Sequence, residues 1–226
     1  MTAVSRRLFF ALPVAAASMA FIRPALALSD PQQLVESSRI AFLDMMTDSD
    51  YSEMQGYVKQ SRALLIFPQL VKGAFIIGGE GGSGVLVARG SGDWSYPAFY
   101  TLASGSLGFQ IGGQVAEMVL TIMSAKALAA VIDNQFKIGG NIDVAAGPIG
   151  KGLAASTTTN LNADAYSFAK TQGLYAGVSL EGAGILERDA WNQEYYGSGA
   201  TPDGIVVGGR STNKNADMLR NALAPY

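Results

Sequence analysis

The chain has 226 residues, 49% of them hydrophobic, and contains neither cysteine nor histidine. That is enough apolar chain to fold, while the two absences exclude disulfides, thiolate nucleophiles, thiolate zinc sites, acylated-cysteine anchors and any serine–histidine–aspartate triad. A formal charge of −2, from 16 basic and 18 acidic residues, argues against nonspecific nucleic-acid binding.

The first 27 residues read as an export signal. Ser5-Arg6-Arg7-Leu8-Phe9 leads into an apolar stretch from Leu8 to Ile22, followed by Arg23-Pro24-Ala25-Leu26-Ala27. A charged start, a short hydrophobic segment and small residues at the cleavage position are the three parts of such a signal. The stretch is shorter than the ~20 apolar residues of a membrane span, and the arginine pair resembles the bacterial twin-arginine type. Cleavage is expected after Ala27, with an uncleaved anchor and a general secretory signal as the alternatives. Removal takes Arg6, Arg7 and Arg23 and no acid, so residues 28–226 carry a net charge of −5. Any contact with anionic lipid must then come from a local basic patch.

Asp30-Pro31-Gln32-Gln33 predicts a helix start, with an acidic cap and proline in the first turn. Leu34, Val35, Ala41, Phe42, Met45 and Met46 then share one face, interrupted in pattern by Ile40 and Leu43. A second helix is expected from Tyr51 to Ser61. Strands are expected at Ala63–Phe67, stopped by Pro68, and at Ala74–Ile77 and Val85–Ala88, joined by a glycine-rich hairpin turn. Further candidates are Ala98–Leu102, Leu107–Ile111 and Val115–Met123. Ser124 caps an expected helix reaching Ala130 or Asp133. Strand returns over Phe136–Ala146, broken at Gly139-Gly140. The clearest alternation is Leu174, Ala176, Val178 and Leu180, with Ile185–Glu187 as a candidate partner. Helices near Asp189–Tyr196 and Asn215–Leu223 close the chain.

This order predicts a single α+β domain: a curved, glycine-rich antiparallel sheet or partial barrel with N-terminal, central and C-terminal helices. The 27 glycines, against about 16 at average usage, suit tight backbone approaches within that sheet.

The search for reactive groups finds little. Gly79–Gly84 fits G-x-G-x-x-G, but a strand follows instead of the helix that would hold a pyrophosphate. Ser83, Ser106 and Ser179 have no histidine to activate them. The acids Asp44, Asp48, Asp50 and Glu53 lack the order of a calcium loop and read as a solvated turn. The clustered aromatics Trp94, Tyr96, Phe99, Tyr100, Trp191, Tyr195 and Tyr196 suit core packing or interfacial anchoring.

The segments ALLIFPQLVKGAFIIGGEGGSGVLVAR, WSYPAFY, GFQIGGQ, GGNIDVAAGPIGKG and YSFAKTQGLYAGVSLEGAGILERD, in this order, resemble the SYLF family. The resemblance runs from about Leu34 to Gly197, and it implies that residues 28–226 form one SYLF domain. It further implies lipid or membrane binding, with no cofactor and no established catalysis. Eukaryotic relatives bind phosphoinositide membranes and, in yeast, actin; bacterial relatives are typically exported. Actin binding is not carried over to an exported chain. Nor is strong phosphoinositide affinity, because Pro31–Asp50 has one basic residue, Arg39, against Glu36, Asp44, Asp48 and Asp50.

The leading expectation is a periplasmic or envelope module that binds phospholipid. Leu34, Val35, Phe42, Met45 and Met46 would insert, and Lys72, Arg89, Lys151 and Lys170 would meet anionic headgroups; alternatively, the helix face packs on the sheet. The second expectation is a structural or interaction role with an envelope protein partner. The third, a hydrolase, requires paired acids with raised pKa values in a deep pocket.

Overall fold

The computed structural model describes residues 30–73, 79–90, 92–105, 114–147, 162–172 and 182–226. The expected export signal, Lys151 and the expected strands at Ala74–Ile77, Leu107–Ile111 and Leu174–Leu180 lie outside the described residues.

Helix α1 spans Asp30–Thr47, and α2 follows at Met54–Gln60. A 3₁₀ turn, Ser49–Tyr51, joins them, and the Asp48 carboxylate accepts from the Asp50 backbone N–H. Seven strands form one curved, half-barrel sheet: β1 Ala63–Gly73, β2 Gly79–Ala88, β3 Ala98–Gly105, β4 Gln114–Ile122, β5 Val144–Ala146, β6 Ala165–Gln172 and β7 Gly184–Glu187. The order is β5-β6-β4-β1-β2-β3-β7. All neighbours are antiparallel except β5 and β6. Helix α3, Ala125–Ile132, starts where Ser124 accepts from the Ala127 N–H. Helices α4, Asp189–Tyr196, and α5, Asp217–Leu223, match their expected places.

Three expectations need correction. Pro68 does not stop β1. The central strand runs through it by bulging, with one extra residue between Phe67 and Leu70 against β4 and one between Ile66 and Val71 against β2. A bulge frees the position from the hydrogen bond that proline cannot donate. The glycine run Gly79–Gly84 is not a turn; it is half of β2 and pairs on both sides. Glycine is required there because a Cβ on Gly82 would overlap the Gln69 carbonyl oxygen, and one on Gly84 would enter the Phe67 ring. The glycines thus make room for the bulge. Third, β6 has no counterpart among the expected strands; β7 pairs with β3, and its expected pairing with Leu174–Leu180 falls outside the described residues.

Both faces of the sheet are buried. Leu65, Phe67, Leu86, Tyr100, Met118 and Leu120 form one core with α3. Leu64, Ile66, Val85, Val87, Phe99 and Val119 form the other, beneath α1 and α5. The alternation along β1 therefore separates two cores, not a core from solvent.

Candidate ligand-binding surface

The apolar face of α1 belongs to the second core. Leu34 is 9% exposed, and Val35, Phe42, Met45 and Met46 are at 3% or less. Insertion of these five side chains into a bilayer, as expected from the sequence, is therefore not available in this packing. Each buried side chain of this size contributes roughly 1.5–3 kcal/mol, so the helix is held by its own greasy stripe. Polar contacts secure its ends. At the start, the Tyr195 hydroxyl donates to Gln32 Oε1 at 2.6 Å, and Gln32 Nε2 donates to the Asn215 carbonyl at 3.2 Å. At the end, Lys170 Nζ on β6 sits 2.6 Å from Asp44 and 2.9 Å from Asp48.

Of the expected basic points, Arg89 and Lys170 are engaged within the chain. Lys170 is neutralised by Asp44 and Asp48, which hold its ammonium well above the usual lysine range. The Asp50 amide and Lys170 in turn hold Asp48 below the usual carboxylate value. Arg89 donates to the carbonyls of Ser61, Val58 and Tyr226 at 2.9–3.1 Å. Its guanidinium also lies 4.2 Å over the Trp94 ring and clasps α2 and the chain end. Lys72 is placed by its backbone near the end of β1, opposite Glu80 and Gln114.

The aromatics take the packing role. Trp94, Phe99 and Tyr100 are buried; the Trp94 indole donates to the Leu223 carbonyl at 3.0 Å, and Tyr195 packs edge-on against Phe99. The acidic turn is likewise structural, through the Asp48 cap and the Lys170 pairs. Among the described residues there is no group of three or more acids that could hold a metal.

What the sequence did not reveal is a groove of about 700 Å³ at the other end of α1. Asp30, Gln33, Leu34 and Ser37 line one wall. The floor is the bulge at Pro68-Gln69, flanked by Gly82 and Ser83 of β2 and by Val115 and Glu117 of β4; Trp191 of α4 closes a side. Leu34 is the one expected insertion residue that reaches it.

Two features stand out in the groove. Glu117 Oε2 is buried without a hydrogen-bond partner; burial, and secondarily the Asp44 charge, push this carboxyl above its ordinary value. Ser83 accepts from the Arg188 guanidinium, which stacks 3.4 Å over the Trp191 ring, and desolvation lowers the pKa of that arginine. The neighbouring charges that act on Glu117 are Asp44, which raises it, and Lys170, which opposes that shift. The sequence did hold a cue: Glu117 is the single charge within Val115–Met123.

A protein-family model described as "Ysc84: Las17-binding protein actin regulator" matches residues 103–226. Protein YSC84 of Saccharomyces cerevisiae is 35% identical over 170 residues, covering 74% of this chain and 36% of the yeast protein. The human SH3 domain-containing YSC84-like protein 1 is 34% identical over 171 residues, 75% of this chain and 50% of that protein. Its Xenopus laevis counterpart is 36% identical over 130 residues, 57% of this chain and 39% of that protein. The matched stretch thus spans half or less of these relatives.

Proposed function

The chain belongs to the Ysc84 family, the SYLF family of the sequence resemblance, and on that premise we propose that it is an exported, non-catalytic module that binds phospholipid in a bacterial envelope. The observation that supports this reading best is the groove beneath α1, a concave surface mixing apolar walls with a few polar groups, as ligand sites do. It replaces the buried face of α1 as the point of contact. For anionic headgroups the proposal keeps Lys72 and Lys151, since Arg89 and Lys170 are committed to intramolecular partners. The test is co-sedimentation of residues 28–226 with neutral and anionic vesicles at low and high salt. Retention on vesicles supports the module, and salt sensitivity reports the basic share of the contact. Failure to sediment with any vesicle contradicts it.

Export is part of the proposal. Expressed with its first 27 residues in a bacterium with the twin-arginine system, the protein is expected in the periplasm with Leu28 as its N-terminus. Cytoplasmic retention at full length contradicts this.

A second reading is an envelope protein partner. The matched family model is described as Las17-binding, and Leu186 is 51% exposed on β7, the last strand of the described sheet, which Phe136 and Lys137 bridge only in part; exposed apolar side chains there favour pairing with another chain. Co-purification of a stoichiometric envelope protein, with indifference to vesicles, is the outcome that favours it.

A further inference from the structure

The groove has an acceptor and a donor side at matched positions. Strand β1 runs between β2 and β4, and its bulge lies between Ser83 on one side and Glu117 on the other. The register brackets both: Phe67 pairs with Met118 and Leu70 with Ala116, while Ile66 pairs with Val85 and Val71 with Gly81. Both side chains point toward α1, as shown by the groove they line and by Val85 and Val119, which share their strand phase in the second core. Their strands are two sheet spacings apart, about 10 Å.

The chemistry of the two sides is opposite. Glu117 Oε2 is a buried acceptor with no hydrogen-bond donor, although Lys170 stands opposite Glu117 in the β4–β6 ladder and its charge opposes the upward push on the carboxyl; leaving a buried acceptor without a hydrogen bond is costly. No lysine or arginine is among the described residues that line the groove, whose charged lining is Asp30 and Glu117. At the other side Ser83 is backed by Arg188, a guanidinium fixed by its hydrogen bond and by the Trp191 ring, with Asp30 as the lining acid whose charge acts on it. One side calls for an N–H donor carrying positive charge, and the other suits an anionic oxygen.

We infer that the groove binds the zwitterionic headgroup of an amine-bearing phospholipid, with its primary ammonium on Glu117 and its phosphate on Ser83 and Arg188. A primary amine is favoured over a quaternary one because Glu117 needs a hydrogen to accept, and a trimethylammonium has none to give. This inference rests on the phospholipid reading above and names the headgroup it selects.

The test uses residues 28–226 and vesicles of phosphatidylcholine alone, of phosphatidylcholine with phosphatidylethanolamine, and of phosphatidylcholine with phosphatidylglycerol. Phosphatidylethanolamine is expected to raise retention over phosphatidylcholine alone, and Glu117→Gln to lower that gain about tenfold, the weight of one charge-assisted hydrogen bond. Ser83→Ala, which removes no charge, is expected to weaken phosphatidylethanolamine binding by a smaller factor and serves as the second variant. Equal retention on all three vesicles, or a Glu117→Gln chain indistinguishable from the parent, overturns the inference and leaves the phospholipid reading intact. Absence of binding to every vesicle removes that reading itself. Soluble O-phosphoethanolamine is expected to compete; competition by a lysine-rich peptide alone would assign the carboxylate to a protein partner and overturn the headgroup.

Discussion

The two ends of α1 meet the same sheet in different ways. At the C-terminal end, Phe42, Met45 and Met46 fill the space over the strands, and Lys170 closes the margin with two ion pairs. At the N-terminal end the helix and sheet stand apart over the β1 bulge, and Glu117 is left with a buried oxygen and no hydrogen-bond partner. One end satisfies its groups and is specialised for stability. The other leaves a polar group unsatisfied, which folding alone does not favour, and that is where binding is expected.

The strongest way to break this comparison is to attack the closed end. Phe42→Asp places an unpaired charge in the second core and is expected to cost more than 4 kcal/mol, enough to unfold a domain of ordinary stability. Circular dichroism with denaturant checks it; a folded variant that merely loses vesicle binding would mean the face is a contact surface after all. Gly82→Ala follows in size. Its Cβ meets the Gln69 carbonyl, so a loss of about 1–3 kcal/mol is expected in urea melts, and an unchanged midpoint would mean that the bulge yields.

Lys170→Met probes the margin and is expected to cost no more than ~1 kcal/mol, because the three side chains remain partly exposed. The loss has a pH window. Asp48 is lowered in the folded chain, so its share is present above its ordinary value of 3.8 and lost as pH falls through the folded value. Lys170 is raised, so its share is present below 10.5 and lost as pH rises through the folded value. The difference between parent and variant is therefore expected to be largest between those limits and to shrink at both extremes.

Glu117→Gln sharpens the open end and has the smallest effect on stability, with the opposite sign. A carboxyl raised by burial makes the folded chain most stable below 4.5, and that advantage fades as pH rises through its folded value. Removing the charge is expected to raise the thermal midpoint slightly at pH 7 and to leave it unchanged at pH 4. A lower midpoint at pH 7 would mean that the carboxylate has a stabilising partner.

How much of this was legible beforehand differs between elements. The Ser124 cap of α3 and the stripe from Leu34 to Met46 are local signals, and both appear where expected. The same stripe could not say what it faces, since packing on a sheet and insertion into a bilayer demand the same periodicity. Pro68 and the glycines of β2 misled when taken singly. Only their pairing across strands shows that Gly82 and Gly84 clear the way for the bulge carrying Pro68. Strand β6 was missed because Ala165, Ser167 and Ala169 dilute the contrast with Tyr166 and Phe168. The groove was out of reach for the same reason: Glu117, Ser83 and Arg188 come together only through the order β4-β1-β2 and the placement of α4.

The most direct test of the account is amide hydrogen exchange of residues 28–226 with and without phosphatidylethanolamine-containing vesicles. Binding at the groove is expected to slow exchange around Gly81–Ser83 and Val115–Glu117 while the amides of Val35–Met46 keep their protection. Faster exchange along Val35–Met46 on adding vesicles would contradict it, showing that α1 leaves the sheet and that its buried face, not the groove, meets the lipid.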